Sequence, residues 1–112
     1  MTGRPGEGLR RVEREIVGEK AAALGRAGER LEHVLGEARA AAARLLVAED
    51  PDDRALRAQE YATIRARALE ARLALLIQRE ALGLRRHATV DQQYPEPPTA
   101  EALVRRTRDP AW

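Results

Sequence analysis

The chain contains no cysteine, no serine and no phenylalanine, and its aromatic residues are Tyr61, Tyr94 and Trp112 alone. Without cysteine there can be no disulfide, thiolate metal site, iron–sulfur cluster or thiol catalysis. Without serine there is no serine nucleophile, and hydroxyls besides tyrosine come only from Thr2, Thr63, Thr89, Thr99 and Thr107. Three aromatics scattered along the chain make a poor base-stacking platform for single-stranded nucleic acid. Its longest strongly apolar run, residues 73–77, falls far short of the roughly 20 residues a membrane helix needs. Residues 1–8 lack the apolar core of a secretory leader. A soluble, cytoplasmic protein is therefore expected.

What is present is charge, alanine and leucine. Charged residues make up 34% of the 112 residues, with 20 Lys plus Arg against 18 Asp plus Glu. Nearly all the basic residues are arginine, Lys20 being the one lysine. The signs are intermixed, whereas a phosphate-binding protein usually segregates positive charge on one face. The length suits one domain.

Residues 1–7 are rich in Gly, Pro and Arg and are expected to be disordered. A helical pattern then runs from about residue 8 to 48. From Leu24 its seam follows steps of four and three through Gly28, Leu31, Leu35, Ala38, Ala42 and Leu45, as in a coiled coil. The earlier register of Leu9, Val12 and Ile16 joins this seam through a stutter at Lys20. Gly18, Gly25, Gly28 and Gly36 interrupt the pattern. They suggest either close approach of a neighbouring backbone or a break near Gly25–Gly28, and the unbroken seam favours a continuous helix.

Asp50-Pro51-Asp52-Asp53 reads as a helix start, with Asp50 as N-cap, Pro51 in the first turn and two acids at the positive end of the dipole. A second helix over residues 51–86, joined by so short a connection, predicts an antiparallel hairpin over residues 8–87. Residues 88–98 have no clear period and contain the stiff Tyr94-Pro95-Glu96-Pro97-Pro98 stretch, so a linker is expected there. Thr99 caps a short helix over residues 100–108, within a terminal segment of residues 99–112.

Arg65, Arg72, Arg79 and Arg86 recur every seven residues and form a column on the second helix. In the hairpin, level positions sum to about 101, which places Arg72 opposite Glu29, Arg86 opposite Glu15, Arg65 beside Glu37 and Arg79 near Glu19. The column then reads as a ladder of interhelical ion pairs. A solvated face and an anion-binding face are the alternatives. Lys20 and Glu80 are expected to pair at the core edge.

The second helix carries two apolar stripes. One is Ala62, Ala66, Leu69, Leu73 and Leu76. The other is Tyr61, Ile64, Ala68, Leu75 and Leu82, about 140° away. A hairpin covers one stripe, so Tyr61, Ile64, Ala68, Leu75 and Leu82 are expected at an interface, with two hairpins forming a dimeric four-helix bundle or a larger assembly. The C-terminal segment covering this stripe in cis is the alternative.

No catalytic, cofactor or metal site is expected. His33 shares a helix face with Glu29 and Glu37, a conceivable metal set, but neither His33 nor His87 has the Glu-x-x-His spacing of di-iron bundles. The glycines lack the context of a phosphate loop.

Residues 12–28 (Val12-Glu13-Arg14-Glu15-Ile16-Val17-Gly18-Glu19-Lys20 and onward to Gly28), with residues 78–85 (Gln78-Arg79-Glu80-Ala81-Leu82-Gly83-Leu84-Arg85), resemble an uncharacterised family of short bacterial helical proteins. That resemblance implies a bacterial helical protein and no particular activity. The overall expectation is an all-α protein: a long antiparallel hairpin with a short C-terminal helix, acting as a non-enzymatic assembly or adaptor protein. Leu103, Val104, Arg105 and Arg106 are the expected contacts of a partner-docking tail. A nucleic-acid-associated protein using the arginine face is the alternative.

Overall fold

The computed structural model describes residues 6–106. The expectation for residues 1–5, and for residues 107–112 including Trp112, lies outside the described residues. The order of elements is α1 (Glu7–Val47), α2 (Pro51–Ala81), α3 (Ala88–Gln93) and α4 (Ala100–Arg105).

α1 is a single 41-residue helix that passes through Gly18, Gly25, Gly28 and Gly36 without a break. These glycines do not admit a close neighbour, because a Cβ built on any of them meets nothing within 4 Å. α1 ends at Ala48, whose extended backbone turns the chain (φ −68°, ψ 126°). Asp50 then caps α2, its carboxylate accepting from the Asp53 N–H at 3.0 Å, with Pro51 in the first turn. Arg54 locks the corner by donating to the Ala48 carbonyl at 3.3 Å.

The hairpin is antiparallel, in the expected register to within three positions. Arg44 pairs with Glu60 at 2.5 Å, Arg67 with Glu37 at 3.1 Å, and Lys20 Nζ donates to the Ala81 carbonyl at 3.3 Å.

α2 stops at Ala81, five residues before the expected end at Arg86. Gly83 is the cause. It takes the left-handed conformation (φ 83°), and its N–H bonds the Glu80 carbonyl while the Leu84 N–H bonds the Arg79 carbonyl. This is the Schellman closure, which glycine permits at no steric cost.

Residues 88–98 are not a linker. α3 forms there, and the chain from His87 to Arg105 returns along α2 as a third layer over the groove between the long helices. Two core clusters result. Val90 joins Leu31, Val34, Leu35, Ala68, Ala71 and Leu75, with Tyr94 packed against them. Leu103 joins Ala38, Ala41, Ala42, Leu45 and Tyr61 nearer the hairpin corner. Ala38, Ala41, Ala42, Ala68 and Ala71 lie among larger residues in the contact between α1 and α2, and the C-terminal layer packs Val90 and Leu103 against it.

Candidate functional site

The arginine column does not face the acids of α1. Arg65 Nε donates to the Pro97 carbonyl at 2.8 Å, and Arg72 Nε donates to the Tyr94 carbonyl at 2.8 Å. Arg72 also pairs with Asp91, and with Glu96 at 3.8 Å, while itself only 9% exposed. Arg79 reaches His87 Nδ1 at 3.4 Å and the Arg86 carbonyl at 2.8 Å. Arg86 lies beyond α2 and accepts from the column rather than extending it.

The spacing has a simple origin. Seven helical residues rise about 10.5 Å, and three residues of proline-type extended chain rise about 9 Å. Arginines seven apart thus meet carbonyls three apart, at Tyr94 and Pro97. Prolines have no N–H, so the 94–98 stretch offers mainly acceptors, and arginine offers only donors. Tyr61 completes the series by donating its hydroxyl to the Pro98 carbonyl at 2.7 Å. The ring is fully buried, and burial raises the phenol pKa, opposed by the nearby Arg65 charge. Tyr94 OH donates to the Glu32 carboxylate on α1, which raises the Tyr94 pKa.

Most of the stripe expected to meet a second chain is therefore buried within one. Tyr61, Ala68 and Leu75 are buried, and Ile64 and Leu82 are half-buried. The other stripe, which would have formed the hairpin seam, is the more open one: Ala62, Ala66 and Leu73 are exposed. The two stripes exchange roles because the C-terminal segment supplies a third partner along the side of α2 that carries Arg65 and Arg72. Of the expected docking tail, Leu103 is fully buried in the core, so it is not a free contact. Val104, Arg105 and Arg106 remain exposed.

Lys20 and Glu80 do not pair. Lys20 holds the Ala81 carbonyl and Glu80 holds His87 Nε2 at 3.1 Å. His33 Nε2 meets Glu37 at 3.0 Å with its side chain 77% exposed. Among the described residues, no three His, Asp or Glu side chains gather as a metal set.

The feature that sequence reasoning passed over is the mismatch in helix lengths. Lys20 lies level with the last residue of α2. Residues 7–19 of α1 therefore project past α2 by about 20 Å. Along them Leu9, Val12, Ile16 and Val17 are 65%, 48%, 45% and 56% exposed. At about 100° per residue Leu9, Val12 and Ile16 fall within about 60° of one another on α1, with Val17 about 80° round from Leu9 and Glu13 between them. The same arc carries Val34, Ala38, Ala41 and Leu45, which are buried in the core. The apolar seam thus continues for nearly four turns beyond its partner helix. The signal was available in the sequence, as Leu9, Val12 and Ile16 together with Gly83 as a helix terminator.

Two smaller apolar features accompany it. Leu73 and Ile77 are exposed one turn apart on the outer face of α2. At the hairpin corner an open groove of about 530 Å³ is lined by Leu45, Ala55, Ala58, Ala100 and Val104. No helix among the described residues is long and apolar enough to cross a membrane. No protein family, curated protein or solved structure matches this chain.

Proposed function

We propose that this chain is a non-enzymatic helical assembly protein of the cytoplasm, acting through protein–protein contacts made by the projecting end of α1. The observation that supports this is the continuation of the seam past Lys20. Leu9, Val12 and Ile16 stand about half exposed on one arc in line with the hairpin core, with Val17 at its side. A contiguous apolar strip rimmed by charge is the usual mark of an interaction surface. Here Arg10, Arg14 and Glu19 border the strip and Glu13 lies within it. The four-helix bundle built on Tyr61, Ala68 and Leu75 is not the form proposed, because those residues are already covered. The resemblance to short bacterial helical proteins is compatible with such a role and adds no substrate.

The nucleic-acid alternative is the less supported reading. Arg65, Arg72 and Arg79 each donate to one of the chain's own carbonyls, while Arg86, Arg105 and Arg106 are exposed.

The test is capture by the immobilised full chain, offered both an untagged copy of itself and a cell extract. The wild type is expected to retain a defined protein that the Val12→Glu/Ile16→Glu double variant loses, with both chains equally helical. Equal retention by the two, or none by either, contradicts the proposal.

A further inference from the structure

Resting on that reading, we infer that the occupant of the projecting strip is a second copy of this chain, its own α1 end lying antiparallel in the place α2 leaves vacant.

The vacant place has a shape and a direction. Over residues 31–45 the arc of α1 that continues into the projection packs against α2, which runs antiparallel to it. Beyond Ala81 no helix among the described residues lies against the same arc. An occupant that extends the seam is therefore a helix lying end to end with α2 along α1. A second α1 satisfies this under a two-fold axis near residue 13, because each projection then covers the other with the same patch.

Sterics choose the antiparallel arrangement. A parallel partner would bring its residues beyond 20 into the end of α2 at Ala81, and its own α2 would collide with the first hairpin. An antiparallel partner carries its hairpin away past Glu7, clear of the first chain's α2.

Charge agrees with this. In a parallel pair every charge lies level with its own copy, so Arg10, Arg11 and Arg14 would each oppose themselves. In the antiparallel pair position i lies level with about 25 or 26 minus i, which brings Arg10 and Arg11 level with Glu15; Arg11 also neighbours Arg14, Glu7 neighbours Glu19 and Glu13 meets its own copy, so like-charge contacts are fewer than in the parallel pair but not absent. Residues 7–19 hold three arginines and four glutamates. So nearly balanced a segment suits self-pairing better than a strongly charged partner. Leu9 then lies level with Ile16 of the second copy, and Val12 lies near the axis beside Glu13, so apolar contacts flank a polar centre.

The chain has no cysteine, so single introduced cysteines report the arrangement without background. Sedimentation velocity on the purified full chain at tens of micromolar should show a dimer, and Ile16→Glu should weaken it at least tenfold while the thermal transition of the hairpin is kept. Tagged Leu9→Cys mixed with untagged Ile16→Cys should oxidise mainly to the mixed disulfide, and Leu56→Cys at the far end should not cross-link. A monomer, a dimer indifferent to Ile16→Glu, or a Leu9→Cys product linked mainly to itself overturns the inference. A monomer whose projection still selects another protein from the extract overturns this inference and leaves the proposed function standing. A monomer that selects nothing removes both.

Discussion

Arg72 holds the backbone carbonyl of Tyr94 through its Nε at 2.8 Å, and this bond joins the C-terminal layer to the middle of the hairpin. Arg72→Ala removes it, together with the partners of Asp91 and Glu96. Both acids are well exposed and rehydrate, so the main loss is a charged hydrogen bond at a part-buried carbonyl, about 1.5–3 kcal/mol. Hydrogen exchange should show residues 88–105 losing protection more than the hairpin does. Arg72→Lys should recover little, because an ammonium cannot reproduce the guanidinium fork.

Leu103 is the counterpart at the hairpin corner. Its side chain is fully buried among Ala38, Ala42, Leu45 and Tyr61, so Leu103→Ala should cost about 2–5 kcal/mol in chemical denaturation. Val104→Ala, at an exposed neighbouring position, should cost well under 1 kcal/mol. Similar losses for the two would mean that α4 docks less firmly than the structure shows.

The glycines divide into two classes. Gly25 and Gly28 sit in helical backbone with open space where a Cβ would go, so alanine there should stabilise by about 0.4–1 kcal/mol. Gly83 has φ 83°, and Gly83→Ala should destabilise by about 1–2 kcal/mol. Thermal melts of the three single variants test the difference in sign.

Both tyrosines have raised pKa values, Tyr94 through its bond to Glu32 and then burial, Tyr61 through burial. A raised folded pKa contributes stability that is complete below the unfolded value, about 10, and is lost as pH rises through the folded value. Stability should therefore stay level on their account up to about pH 10 and fall above it. Tyr94→Phe should reduce that fall. Tyrosinate absorbance followed alongside helicity reports both events, and a decline beginning near neutral pH would not come from these groups.

Much of this architecture is legible in the residues. The seam from Leu24 to Leu45, the cap at Asp50-Pro51 and the Thr99 cap are local signals, and each appears where the pattern places it. The arginine column was legible as a column but not in its target. Heptad spacing fixes which side of a helix the arginines share, and says nothing about whether side-chain acids or main-chain carbonyls lie opposite. The carbonyl ladder required reading Tyr94–Pro98 as a run of acceptors rather than as a spacer. The two stripes of α2 were assigned in reverse for the same reason, since Tyr61 and Leu75 became seam residues only once a third layer existed. The projection of α1 depends on where α2 ends, and that rests on one glycine inside an otherwise helical pattern.

The central claim is that the projecting end of α1 is the working surface and joins two chains end to end. Small-angle X-ray scattering on the purified chain measures this most directly, because one chain is a rod 76 Å long and 22 Å across at its Cα atoms. A dimer much longer than 76 Å and little thicker than one hairpin is expected, shortening to the single-chain length in Ile16→Glu. A scattering mass of one chain, or a dimer no longer than 76 Å with a doubled cross-section, would contradict it.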